Sequence, residues 1–137
     1  MKNLFYLTIL FALLLSVSAC GSSQLEEVSG PATVIEAMET AWNAQDLEAV
    51  LALYTDDAVE TNRLGKFTGK EELRKLFGPI IDEFTMECGN YAVNGNTVSY
   101  ECVLTRKGGT TLAGEKYDAV IENGKIKANT FTGNFSP

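Results

Sequence analysis

The sequence predicts an α+β domain in which three N-terminal helices pack on one face of a curved antiparallel sheet. Between Val34 and Ile80 apolar residues recur at spacings of three and four, the period of a helix face. From Thr85 onward they alternate, the period of a strand with one face buried. The breaks in this second half are short and contain glycine: NGN at 94–96, KGG at 107–109 and NG at 123–124. Such breaks join consecutive strands as hairpins, and helices gathered in one half with strands in the other define the α+β arrangement.

Taken in chain order, the first segment belongs to transport. Lys2 precedes an almost wholly apolar run from Leu4 to Ala19, the pattern of a secretory leader. It ends in VSAC, residues 17–20, which resembles the bacterial lipobox and implies a leader over 1–19 and a chain that begins at a diacylated Cys20. An ordinary cleaved leader or a short membrane anchor is the other reading of the same run. Lipid chains contribute about 0.8 kcal/mol per buried methylene, so acylated Cys20 would hold the domain on a membrane without spanning it. The expected place is the cell envelope, and in a Gram-negative cell Gly21 after the lipid cysteine favours the periplasmic side of the outer membrane. Residues 20–31 are small, polar and acidic, and read as this lipidated cysteine and a tether.

Residues 32–137 then suffice for one domain. The 137-residue chain carries 11 Lys and Arg against 18 Asp and Glu, a formal charge of −7, with no basic run. That balance argues against a nucleic-acid partner, whose phosphates require cationic contacts. The chain has no histidine and no CxxC spacing, so neither a metal nor another cofactor is expected.

In the helical half, Val34, Ile35, Met38, Ala41 and Trp42 form one stripe, begun by Ser29 and Pro31. Asp46 is placed as the N-cap of a short second helix running through Leu47, Val50, Leu51 and Tyr54. AVET at 58–61 reads as a strand and NRLGKF at 62–67 as a loop. Thr68 and Glu71 have the spacing of a capping box, before a third helix carrying Leu73, Leu76, Phe77 and Ile80 that Pro79 should kink or end. The adjacent Asp56 and Asp57 read as turn residues after the second helix, with acid chemistry the competing reading.

In the strand half, a three-residue loop at 94–96 sets Cys88 opposite Cys102, Met86 opposite Leu104 and Ala92 opposite Val98. In an exported chain Cys88 and Cys102 can then form a disulfide, the alternative being two buried thiols.

AWNAQDLEAVLALYTDDAVE at 41–60, FTGKEELRKLF at 67–77 and VIENGKI at 120–126 resemble the SnoaL-like branch of the nuclear transport factor 2-like superfamily. The resemblance implies a cone-shaped fold, three helices closing over a strongly curved antiparallel sheet with an apolar pocket at the wide end. Met38, Trp42, Tyr54, Phe67, Phe77, Tyr100, Tyr117 and Thr130 are the expected wall, unless the same side chains fill the interior. It also implies dimerisation through the convex face, where Tyr91, Val93, Val103 and Val120 could form a patch.

The clearest chemistry in the superfamily, that of ketosteroid isomerase, uses an aspartate base and a tyrosine–aspartic acid oxyanion hole. Those positions fall here on Thr61 or Asn62, Met38 and Lys116, none of which serves. Epoxide hydrolases of the superfamily use aspartates and an arginine. Of the candidates Glu60, Glu101, Asp118 and Arg106, strand alternation turns Glu101 and Asp118 away from the cavity face and leaves Glu60, with Asn62, near the cavity mouth. The expected function is non-catalytic binding of a small hydrophobic ligand or a partner protein. The alternative is an isomerase, cyclase or hydrolase using Glu60 or Asp118 as base.

Overall fold

The computed structural model describes residues 30–112 and 114–137. The segments expected as leader and tether, with Cys20, lie outside the described residues as far as Ser29. The elements run α1 (Ala32–Asn43), α2 (Leu47–Ala52), β1 (Tyr54–Asn62), β2 (Gly65–Thr68), α3 (Gly69–Ile81), β3 (Phe84–Asn94), β4 (Thr97–Arg106), β5 (Thr110–Thr111), β6 (Gly114–Glu122) and β7 (Lys125–Phe135). Three helices cover the concave face of a seven-stranded curved sheet with the order β2-β1-β7-β6-β4-β3, and β5 adds to β4. The α+β cone is the architecture the sequence predicts. The sheet itself is mixed, because β1 lies parallel to β7 while the other pairs are antiparallel.

Burial follows the helical and alternating patterns. Ile35 of α1, Val50 of α2, Leu73 of α3, Val98 of β4 and Ile126 of β7 are all fully buried between the helix layer and the sheet. Each such side chain contributes roughly 1.5–3 kcal/mol on leaving water. Asp46 caps α2, accepting the Ala49 amide at 2.9 Å. α1 is fastened along the edge strand by three side chains that take up its outward-facing backbone groups. The Trp42 indole donates to the Phe84 carbonyl at 3.0 Å, Asn43 both donates to and accepts from Met86, and Glu39 accepts the Cys88 amide. An edge occupied in this way cannot recruit another strand over that stretch.

Several local expectations are corrected. α2 ends at Ala52, and Tyr54 opens β1 because its ring is needed in the core, where it is 1% exposed. Asp56 and Asp57 therefore stand inside a strand, in a bulge where β1 takes five steps between Tyr54 and Val59 while β7 takes two. The segment expected as a loop at 62–67 forms a tight hairpin, β2 pairing with β1 from Asn62↔Gly65 to Val59↔Thr68. The Thr68 hydroxyl makes no capping bond, and Glu72 rather than Glu71 accepts the Thr68 amide. Gly69 opens α3 in a left-handed conformation (φ 78°) directly after the N-cap position Thr68. Pro79 does not end α3 at its own position, since the helix runs on to Ile81. It lies in the last turn, so the one carbonyl it leaves unbonded, that of Lys75, costs little.

The hairpin between β3 and β4 closes one residue tighter than expected, with Asn94↔Thr97 and Ala92↔Ser99, Val93↔Val98. A bulge at Asn90 and Tyr91 then restores the expected register, so Cys88 lies opposite Cys102 and Met86 opposite Leu104. Asn90 accommodates the bulge with φ 53°. Cys88 and Cys102 are joined by a disulfide. A ring of this length contributes roughly 3 kcal/mol by restricting the unfolded chain. The same bulge turns Tyr91 inward against Tyr100, with ring centroids 6.5 Å apart, and so removes it from the convex patch. That convex face instead carries polar pairs, Ser99 with Asp118 and Glu101 with Lys116.

Candidate functional site

The helix layer and the concave face of the sheet enclose a cavity of about 250 Å³. α1 contributes Met38 and Trp42, α2 Val50, α3 Leu76, Phe77 and Ile80, and the strands Tyr54, Met86, Tyr100, Cys102, Leu104 and Tyr117. An aromatic row crosses the sheet from Tyr91 through Tyr100 and Tyr117 to Phe131. Successive centroids are 6.5, 5.6 and 5.9 Å apart, Tyr100 and Tyr117 stacked and Phe131 edge-on. Directly cross-strand aromatic pairs rigidify the surface they line.

Six of the eight residues expected in the wall line the cavity: Met38, Trp42, Tyr54, Phe77, Tyr100 and Tyr117. Phe67 and Thr130 do not. Phe67 lies on β2, packed against the core outside the cavity. Thr130 is exposed, and its neighbour Asn129 takes the inward position. The cause is a bulge. Opposite Val120 and Ile121, β7 spends an extra residue between Ile126 and Ala128, so its inward positions pass from even to odd numbers.

Polar chemistry in the cavity centres on Glu60. It lies one inward position deeper than Asn62 on β1, 3% exposed, and not at the mouth. The parallel pairing of β1 with β7 sets it beside Asn129, whose amide donates to both carboxylate oxygens at 3.2 and 3.1 Å. The Tyr54 hydroxyl donates to Glu60 Oε2 at 3.3 Å and lies 3.4 Å from Met38 Sδ. Tyr100 donates to Asn129 Oδ1 at 2.9 Å, which orients the amide so that its NH₂ faces Glu60. Burial pushes the Glu60 carboxyl up to about 8 against the pull of these donors, with a smaller upward push from Glu115. Burial likewise raises the Tyr54, Tyr100 and Tyr117 hydroxyls above the usual phenol range. Among the described residues no buried side-chain nitrogen or oxygen lacks a hydrogen-bond partner.

The mouth is formed by Asn62, Arg63 and Leu64 of the β1–β2 hairpin together with Glu115 of β6. Arg63 bonds Glu115 through Nη2 and, at 3.1 Å, through Nε, and its guanidinium lies 5.3 Å from the centre of the Phe131 ring. Tyr117 donates to the other Glu115 oxygen. Leu64 projects beside this latch, 79% exposed.

The remaining candidate carboxylates lie elsewhere. Asp118 bonds Ser99, and Glu101 pairs with Lys116 and accepts from Asn90, both on the convex side. Arg106 lies over Phe84 and pairs with Glu83. Asp56 and Asp57 pair with Lys70 and Lys127 in solvent. Among the described residues no cluster of three His, Cys, Asp or Glu side chains is placed to hold a metal ion.

Sequence reasoning missed Asn129, Arg63 and Glu115. The latch was hidden by reading 62–67 as a loop, since only the hairpin carries Arg63 across to β6. The turn itself is Arg63-Leu64, and its local signal was the glycine that follows, Gly65 at φ 140°, between two polar, strand-compatible runs.

The chain belongs to the SnoaL-like domain family, whose match covers residues 34–128. Its fold is that of the nuclear transport factor 2-like proteins. A cystatin-fold protein from Novosphingobium aromaticivorans superposes with a TM-score of 0.65 at 23% identity, over 77% of this chain and 99% of that one. A Mycobacterium tuberculosis protein in complex with estradiol-17β-hemisuccinate gives 0.63 at 21%, over 77% and 94%. A candidate polyketide cyclase from Xanthomonas campestris gives 0.62 at 20%, over 76% and 90%. No curated protein matches the sequence.

Proposed function

We propose that this domain binds a small hydrophobic molecule in the cone and does not transform it. The observation that carries the reading is the cavity itself: an aromatic and thioether wall around a single deep carboxyl group, Glu60. Pockets of this composition bind by apolar burial and use few polar groups to orient the ligand. The mycobacterial neighbour supports it, since that protein of the same fold was solved in complex with a steroid ester, estradiol-17β-hemisuccinate. Proton transfer by a pair of groups would require a second acid or base within reach of Glu60. The other carboxylate in the wall, Glu115, is bonded to Arg63 and Tyr117 at the mouth.

The lipobox-like VSAC supports the further proposal that Cys20 is diacylated and that the domain works at the surface of the cell envelope. Native mass spectrometry of the protein purified from its host tests both. The expected spectrum shows a chain beginning at acylated Cys20 and carrying a small apolar molecule that is lost on denaturation. An intact, unmodified N-terminus removes the anchor, and a preparation that neither carries nor takes up any apolar molecule removes the binding role.

One observation favours a second reading. A carboxyl raised to about 8 on a cavity wall is poised as a general acid or base near neutrality, so an isomerase, cyclase or hydrolase acting through Glu60 alone is the rival. Incubating the protein with the co-purified molecule separates the two. Product that disappears with Glu60→Gln establishes catalysis, and an unchanged molecule supports binding.

A further inference from the structure

The hydrogen bonds at Glu60 all run one way. Asn129 donates to both oxygens, Tyr54 donates to one, and Tyr100 locks the Asn129 amide in that orientation. The Asn129 bonds suit a carboxylate anion, and the one partner able to accept a proton from the acid form is the Tyr54 hydroxyl, which can turn its own proton toward Met38 Sδ 3.4 Å away. Yet among the described residues no cation lies against Glu60. Arg63, the only cation that these residues place in the cavity wall, is held at the mouth by Glu115 and the Phe131 ring. The charged and titratable groups that face Glu60 are Tyr54 from its own strand, Tyr100 from β4, and Tyr117 and Glu115 from β6. All are neutral or anionic. Glu60 is thus a buried carboxyl with a full set of donors and no counter-charge, opening onto a cavity lined by Trp42, Phe77, Tyr100 and Tyr117.

A buried anion is stabilised when an opposite charge is added to its hydrogen bonds, and organic ammonium groups are also attracted by aromatic faces. We infer that the natural ligand is a hydrophobic organic cation, an apolar body carrying one protonated amine, with the nitrogen seated against Glu60 and the body against the aromatic wall. This deepens the binding reading above and rests on it. Complex formation then replaces the proton of Glu60 with the ligand's ammonium group. The proton leaves to solvent, so binding below the Glu60 titration releases about one proton per ligand. The net charge of −7 concentrates such cations at the surface before they enter.

The test uses the full chain in detergent, with quenching of Trp42, the only tryptophan, as the signal. The probes are 2-phenylethylamine, its neutral counterpart 2-phenylethanol, and the anion phenylacetate. The amine is expected to bind at least tenfold more tightly than either of the others at pH 7, and Glu60→Gln to abolish that preference with the circular dichroism unchanged. Calorimetry of the wild type in two buffers of different ionisation enthalpy is expected to show close to one proton released per amine at pH 6.5, a readout that stands even where the variant does not fold. Equal or better binding of the alcohol or the acid, a preference that survives Glu60→Gln, or amine binding without proton release would overturn the cation assignment and leave the binding role in place. If none of the three probes quenches Trp42, the cation assignment fails, and the binding role stands or falls with the co-purified molecule.

Discussion

Asp57 and Glu60 lie three residues apart on β1 and carry the same functional group, yet they occupy opposite chemical worlds. Asp57 stands in the bulge, bonded to Lys127 and Thr55, and these partners hold its carboxyl below the usual range, as Lys70 does for Asp56. Glu60 faces the cavity, and burial drives it the other way, to about 8. Two adjacent acids draw the eye in the sequence, but adjacency on a strand puts neighbours on opposite faces or, as here, both into a bulge. A lone acid in phase with Ala58 and Asn62 is the one that reaches the interior. Phase, rather than clustering, decides which carboxylate can act on a ligand.

The interior half of this contrast should break most sharply at Asn129. Asn129→Ala leaves Glu60 and Tyr100 each short of a buried hydrogen-bond partner, and at about 1–3 kcal/mol per orphaned group the loss should be roughly 2–6 kcal/mol in urea unfolding. A loss below about 1 kcal/mol would mean that water reaches both groups and that the site is not closed. The next effect is a pH slope. Glu60 titrates near 8 when folded and near the ordinary 4.5 when unfolded, so between those values the folded chain holds a proton that the unfolded chain has released. Stability should therefore fall as pH rises from 5 to 8, by on the order of 3–4 kcal/mol. Glu60→Gln, which cannot ionise, should flatten that window. A wild type whose midpoint rises or stays level over the same range would show that Glu60 is already ionised.

How much of this was legible beforehand follows from the same geometry. Long, uninterrupted periods read through well: the α1 stripe brings Met38 and Trp42 to the cavity, and β4 and β6 bring Tyr100 and Tyr117, because no bulge intervenes along the inward positions from Val98 to Leu104 or from Glu115 to Ile121. Wherever a strand gains a residue the phase is lost. The β7 bulge exchanged Thr130 for Asn129, the β3 bulge turned Tyr91 inward, and the β1 bulge carried the acid pair out of the turn it was assigned to. Cys88 and Cys102 were paired by a loop one residue too long followed by an unforeseen bulge, two errors of opposite sign. The parallel β1–β7 contact, which creates the Glu60–Asn129 pair, links residues 69 apart and leaves no local signal.

The Arg63–Glu115 latch lies between the two environments, Glu115 largely sheltered and Arg63 half exposed. Exposed pairs contribute little to stability, so Arg63→Ala should cost less than about 1 kcal/mol. It should act instead on exchange, since the guanidinium spans from β6 to the β1–β2 hairpin across the mouth. Stopped-flow quenching of Trp42 should show both association and dissociation of an apolar probe accelerated, with the ratio little changed. A large change in affinity at constant association rate would move Arg63 from the doorway into the binding site.

The smallest effect belongs to the opposite end of the comparison. Asp56→Asn combined with Asp57→Asn removes two ion pairs that lie in solvent, where side-chain entropy and salt cancel most of the attraction. The urea midpoint at pH 7 and physiological salt should not move beyond experimental error. Their depressed carboxyls contribute stability only above the ordinary 3.8 and lose it as pH falls below that value, so wild type and variant should converge in acid. The downward slope from pH 5 to 8 should persist in the variant, because Glu60 generates it and is untouched. A double variant that unfolds as readily as Asn129→Ala would show that the lysine pairs hold the bulge shut, and that Glu60 reaches the cavity only because its exposed neighbours pin the strand.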